Sequence, residues 1–214
     1  MEKQSFPVSI KGILYENGNY LLRKNERNEY ELLGGKLEFS DETFEQRLHE
    51  EFLEESGVEI QFEAIREPWL YMISEENIII IPFICSSMKK YPKKLYDNDG
   101  GTVGWIKRDE LDTIHMPYGY KDSIRDVIPR KSFSHRKGEY FKSIPHCTEQ
   151  KYHINIVVKN LKGETLFDDY LYYFNSPREF LKKKLKNRYV EENLFFSTVD
   201  KKDDVLVINY VCVV

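Results

Sequence analysis

The chain has no apolar run long enough to cross a bilayer. Its longest, Ile78 to Cys85, is strand-sized and is interrupted by Pro82, whereas a spanning helix needs about 20 apolar residues. The opening MEKQSFPVSI lacks the apolar stretch and the small-residue cleavage site of a secretory signal. Cysteine is scarce: Cys85, Cys147 and Cys212 show no CxxC spacing and no even pairing, which argues against a disulfide framework. The histidines, at 49, 115, 135, 146 and 153, show neither zinc spacing nor a Ser/His/Asp arrangement. No repeat period is evident. These absences lead us to expect a reduced, cytoplasmic protein with structural thiols and no membrane partner.

What is present suits a packed core. Hydrophobic residues make up 41% of the 214 and aromatics 14%, enough for one large domain or two small ones. The net charge of −4 is unevenly spread. Residues 1–130 carry 17 Lys/Arg against 25 Asp/Glu, and residues 131–214 carry 15 against 11. Such a split suggests two units with different surfaces.

Residues 7–15 and 19–23 read as strands around Asn17-Gly18, a dipeptide suited to a type I′ hairpin. Residues 30–33 lead into Gly34-Gly35. Ser40, Asp41 or Thr43 can cap the helix that follows, Phe44, Leu48 and Phe52 form its buried stripe, and Gly57 closes it. Strands are then expected at 58–65, 69–74, 77–86 and 104–107, with a helical turn at 109–111 and a last helix over 119–127. Residues 131–150, basic and polar without period, read as a linker. Beyond it, residues 151–214 read as a small α+β unit of ββαββ order: strands at 152–159 and 165–174, a helix opened by the capping box Ser176-Pro177-Arg178-Glu179, and a hairpin of 194–199 with 205–213.

The most informative segment is GGKLEFSDETFEQRLHEEFLEESGV, running from Gly34 to Val58. On a helix Glu51, Glu54 and Glu55 stand at i, i+3 and i+4, so their side chains converge on one face. Like charges so placed repel by about a few tenths of a kcal/mol per pair. A hard cation would offset that repulsion, and Mg²⁺ takes carboxylate oxygens together with water and substrate phosphates. A solvated acidic helix face is the plainer alternative.

The segment also resembles the Nudix box, the loop–helix–loop signature of the Nudix hydrolases. Gly35 opens it, Glu42 fits its isolated Glu, and Glu51-Phe52-Leu53-Glu54-Glu55-Ser56-Gly57-Val58 fits its end without a gap. The loop between Gly35 and Glu42 is one residue longer than the pattern, and Glu50 stands where the pattern has Arg. The resemblance spans about residues 7–128. It implies a Nudix domain over 1–130, an α/β class fold built as an α/β/α sandwich with a mixed sheet. It further implies cleavage of a pyrophosphate bond in a nucleoside diphosphate linked to another moiety, with Mg²⁺, or Mn²⁺ in its place, as cofactor.

By position the resemblance assigns Gly35, Glu51, Glu54 and Glu55 as metal ligands, with Glu54 or Glu55 doubling as base. Glu42 and Glu38 near the loop–helix junction are outer groups or solvated ones. Asp99 is a further candidate, although Asn-Asp-Gly-Gly forms turns on its own. Arg47, four residues before Glu51, is placed to stand in for the missing Arg. Arg23, Lys24 and Arg27 are candidate phosphate contacts or a solvated hairpin end. Trp69, Tyr71 and Tyr30 either stack on a base or belong to the core.

The basic stretch Lys182, Lys183, Lys184, Lys186 and Arg188 reads first as the outer face of an amphipathic helix and second as a nucleic-acid patch. The expected partner is a small-molecule nucleotide, and no oligomeric state is fixed, a homodimer included. Two other classes of function stand beside the hydrolase. One is a weakened Nudix-fold nucleotide sensor or binding protein acting through its C-terminal unit; the other is a nucleic-acid-associated protein.

Overall fold

The structure, a computed structural model, describes residues 4–37, 43–73, 76–89, 95, 97, 100–125, 151–172, 176–185, 193–202 and 205–213. Glu38, Glu42, Asp99, Lys186, Arg188 and the expected linker 131–150 lie outside the described residues.

The first sheet is mixed and is organised around two central strands. β2 (Val8–Glu16) runs parallel to β7 (Glu76–Ser87), with Val8 opposite Ile79 and Leu14 opposite Cys85. β5 (Ile60–Ile65) and β6 (Trp69–Ile73) lie end to end along the other edge of β7, both antiparallel to it. Pro82 falls between the last residue paired with β6, Ile80, and the first paired with β5, Phe83. Its missing N–H therefore meets the gap between two partners rather than a continuous ladder. β3 (Asn19–Lys24) forms a hairpin with β2 and pairs with β4 (Tyr30–Glu31) and β8 (Thr102–Lys107).

Side-chain alternation divides β2 between two cores. Val8, Ile10 and Leu14 pack with Phe44, Leu48 and Phe52 of α1 (Phe44–Ser56). Ile13, on the opposite face, packs with Met116 and with Tyr120 and Ile124 of α2 (Tyr118–Arg125). Helices thus cover both faces of a mixed sheet, which is the expected α/β/α sandwich. A 3-10 turn at Arg108–Glu110 leads toward α2.

The second sheet is centred on β9 (Tyr152–Asn160). β10 (Thr165–Tyr170) pairs with it antiparallel, β12 (Val205–Cys212) parallel, and β11 (Leu194–Lys202) lies beyond β12. β1 (Ser5–Phe6), although it directly precedes β2 in the chain, also joins this sheet by pairing with Tyr152 and His153. α3 (Pro177–Leu185) supplies Phe180, Leu181 and Leu185 to the same buried cluster that holds Ile10 and Phe52. At the junction Arg178 makes two 2.8 Å bonds to the Glu67 carboxylate, and the Tyr210 hydroxyl donates to Glu67 Oε1 at 2.8 Å. Among the described residues no helix is long and apolar enough to cross a membrane.

Candidate active site

α1 carries the site. Of the three candidate caps, Thr43 does the work: its Oγ1 accepts from the Gln46 N–H at 3.0 Å. Gly57 closes the helix with its N–H bonded to the Leu53 carbonyl at 2.9 Å. The last turn contains no basic residue, so Glu54 and Glu55 sit where the helix dipole disfavours negative charge. Their partners come from other elements.

Glu51 and Glu55 are buried, at 7% and 3% exposure, while Glu54 is exposed. Glu51 lies against Gly35: a Cβ there would stand 2.0 Å from Glu51 Oε1. The same oxygen is paired with Arg47 Nη2, where the i, i+4 spacing put it. Glu50, in the position of the expected Arg, instead accepts from Gln46 Nε2 at 3.0 Å on the exposed side of the helix. Glu55 Oε2 accepts the Gly34 N–H at 2.8 Å, and its Oε1 is 3.3 Å from Arg23 Nε.

Arg23 is the hub of a second ring of charge. It reaches Asp97 Oδ2 at 2.7 Å and Glu31 Oε1 at 3.0 Å. Burial works against its charge, but Asp97, Glu55 and Glu31 outweigh that, and its pKa is raised. Within the described part of the loop, Asp97 is the acid that enters the site, with its side chain fully enclosed. Lys24 sits over the Tyr30 ring, 5.5 Å from the centroid. Arg27 pairs with Glu29 at 2.9 Å.

Two residues of β2 were not singled out by sequence reasoning. The Ser9 hydroxyl donates to the Gly35 carbonyl at 2.9 Å, and the buried Lys11 donates from Nζ to the Gly34 carbonyl. The signal was a lone cation within the apolar strand VSIKGILY. Both residues open onto a cleft of about 400 Å³ shared with Arg23, Lys36, Tyr71 and Tyr120. Trp69 packs edge-on against Tyr120 at 5.0 Å, and Tyr71 meets both rings. Of the aromatic candidates, Tyr71 reaches the cleft.

Burial raises the Glu55 pKa, to about 7, against the opposing pull of Lys11, the Gly34 N–H and Arg23; Glu51 adds to the rise. The donors at the glycine pair are all oxygens, and a buried carboxylate only partly compensated is the kind of group a hard cation would complete. The arrangement is not a preformed cage. Glu54 faces solvent. The Gly35 carbonyl already accepts from Ile10 N and Ser9 Oγ, each at 2.9 Å. Among the described residues no group of three or more His, Cys, Asp or Glu is gathered as a metal site.

The mixed sheet with helices on both faces is an α/β/α sandwich of the Nudix type, a likeness of fold to solved structures. The chain is similar to a NUDIX hydrolase from Nitrosomonas europaea, with 18% identity and a TM-score of 0.50 over 56% of this chain and 87% of that one. It is also similar to a MutT NUDIX hydrolase from Burkholderia pseudomallei, with 18% identity and a TM-score of 0.49 over 58% and 99%. A third is a MutT protein from Methanosarcina mazei Go1, with 22% identity and a TM-score of 0.48 over 58% and 94%. No family model and no curated protein matches the sequence.

Proposed function

We propose that the protein hydrolyses a pyrophosphate bond in a nucleoside diphosphate linked to another moiety, in a Mg²⁺-dependent reaction. One observation carries this reading: Glu51 and Glu55 converge on Gly34-Gly35 at the edge of a cleft lined by Lys11, Arg23 and Lys36. Glu51, Glu54 and Glu55 are the residues that would hold the ion. The Gly35 carbonyl would join them on release of the Ser9 hydroxyl.

When bound, a divalent ion neutralises phosphoryl oxygens and makes water a better nucleophile near neutral pH. The chain's own residues do the rest. Lys11, Arg23 and Lys36 draw the polyanion to the glycine pair. Tyr71 and Tyr120 give the cleft an aromatic wall against which a base or sugar packs. Glu54, exposed one turn from Glu51, is free to take the proton of an attacking water at its carboxylate.

The test is product analysis with sugar diphosphates, dinucleoside polyphosphates, triphosphates and capped RNA, with and without Mg²⁺. The expected products are a nucleoside monophosphate and a phosphorylated remainder, or pyrophosphate from a triphosphate. Release of inorganic phosphate alone would contradict the reading.

A second reading, a nucleotide sensor, draws on the junction. Glu67, held by Arg178 and Tyr210 of the C-terminal unit, stands two residues before β6, whose Tyr71 lines the cleft. Thermal stabilisation by a nucleotide with no turnover of any compound favours it.

A further inference from the structure

Glu50 adds a fourth acid beside Glu51, Glu54 and Glu55 on α1, whose last turn carries no basic residue, and this leaves the carboxylates short of positive charge. Glu31 and Asp97 add to the deficit. Three cations on other positions answer it: Arg47 on Glu51, Arg23 on Glu55, and Lys11. Lys11 is the unusual one. It lies in the middle of β2, opposite Pro82, and is only 7% exposed. Its ammonium donates to the Gly34 carbonyl and stands 3.9 Å from Glu31 Oε2. The N–H of that same Gly34 holds Glu55. Two residues earlier on the same face of the strand, Ser9 holds the next carbonyl, Gly35. An ammonium taken out of water costs several kcal/mol unless charges answer it, so an apolar side chain of equal length would be the cheaper filler. The charge is what distinguishes this residue.

We propose that Lys11 is a positioning residue and a built-in countercation of the box: it fixes the Gly34 carbonyl and sets by its charge how tightly the carboxylates hold a divalent ion. The inference rests on the metal-dependent reading above. Fixed 3.9 Å from Glu31 Oε2 and on the carbonyl of the glycine whose N–H holds Glu55, the ammonium relieves carboxylate repulsion in the metal-free protein and opposes an incoming divalent cation. From the lining of the cleft the same charge attracts an anionic ligand. Removing it moves the two affinities in opposite directions, whereas loss of positioning alone weakens both.

The experiment measures Mn²⁺ binding by electron paramagnetic resonance, and ADP binding by calorimetry at saturating Mg²⁺. It compares wild type with Lys11→Met, with Lys11→Gln, which keeps a neutral donor, and with Lys11→Arg, which keeps the charge. At short range in a partly buried site a unit charge is worth at least about tenfold in affinity. Both neutral variants are expected to bind Mn²⁺ about tenfold more tightly and ADP about tenfold more weakly. Lys11→Arg is expected to stay near wild type in both. Unchanged or weakened Mn²⁺ binding in the neutral variants overturns the inference, as does failure of both to fold while Lys11→Arg folds. No Mn²⁺ binding by wild type overturns instead the metal-dependent reading on which it stands.

Discussion

Gly35→Ala separates the site from the fold. A Cβ on Gly35 would lie 2.0 Å from Glu51 Oε1, against the 3.0 Å or so below which real Cβ contacts are not seen. The carboxylate must therefore retreat by about 1 Å, the difference between those two distances. It is the far end of a flexible side chain, so the retreat costs the fold little. Gly35, unlike Gly34 at φ 124°, does not occupy the left-handed region, and alanine at a compatible position stabilises by about 0.4–1 kcal/mol through the unfolded chain. Function is less tolerant, because a misplacement of about 1 Å costs about 100-fold in rate, equivalent to about 2.7 kcal/mol of transition-state stabilisation. The expected result is an unchanged or slightly raised Tm in differential scanning fluorimetry, with kcat/KM down about 100-fold. Wild-type kcat/KM in a folded Gly35→Ala protein would refute the placement of Glu51. Gly34→Ala is the contrast: its Cβ would meet the Ile10 carbonyl oxygen at 2.3 Å, at a positive φ, so that variant is expected to lose stability.

Arg47→Ala removes the partner of Glu51 and is expected to weaken metal affinity about 10- to 100-fold, as loss of groups that orient ligands does; unchanged affinity in calorimetry would show that Arg47 does not replace the missing Arg. Arg178→Ala breaks the bidentate pair with Glu67, whose partners are 28% and 30% exposed. After discounting for that exposure the cost is about 1–2 kcal/mol, read as a lower urea midpoint. Glu55 gives the pH dependence. Its folded pKa, about 7, lies above the ordinary glutamate value of 4.5, so between those values the folded metal-free protein binds more protons than the unfolded chain. Stability of the metal-free protein therefore falls as pH rises from about 4.5 to about 7. Metal affinity rises through the same range, because the ion displaces that proton. Urea titrations and Mn²⁺ binding across pH 5–8 check both trends, and Glu55→Gln is expected to flatten them.

The helix of the site was legible because its signals are local. Thr43 and Gly57 bound it, Phe44, Leu48 and Phe52 bury it, and four-residue spacing alone placed Arg47 beside Glu51. What was not legible depends on contacts across long stretches of chain. Lys11 reads in sequence as a polar interruption of a strand, and only the folded approach of Gly34 and Glu31 makes it a buried charge. Asp97 reads in sequence as a turn residue, and the reach of Arg23, 74 positions earlier, is what marks it. The parallel pairing of β9 with β12, and the recruitment of Ser5–Phe6 to the second sheet, have no local signature either.

The account stands on the acidic helix as a metal-dependent hydrolytic centre. The direct measurement is a Mg²⁺ titration of nucleotide-derivative turnover by wild type and by Glu54→Gln. Glu54 is exposed, so its amide leaves the fold intact while removing one carboxylate. The account predicts turnover that saturates with Mg²⁺ in wild type and falls by at least about 100-fold in the variant, the lower range for loss of a proton-transfer group. Turnover indifferent to Mg²⁺, or equal in the two proteins, would contradict it.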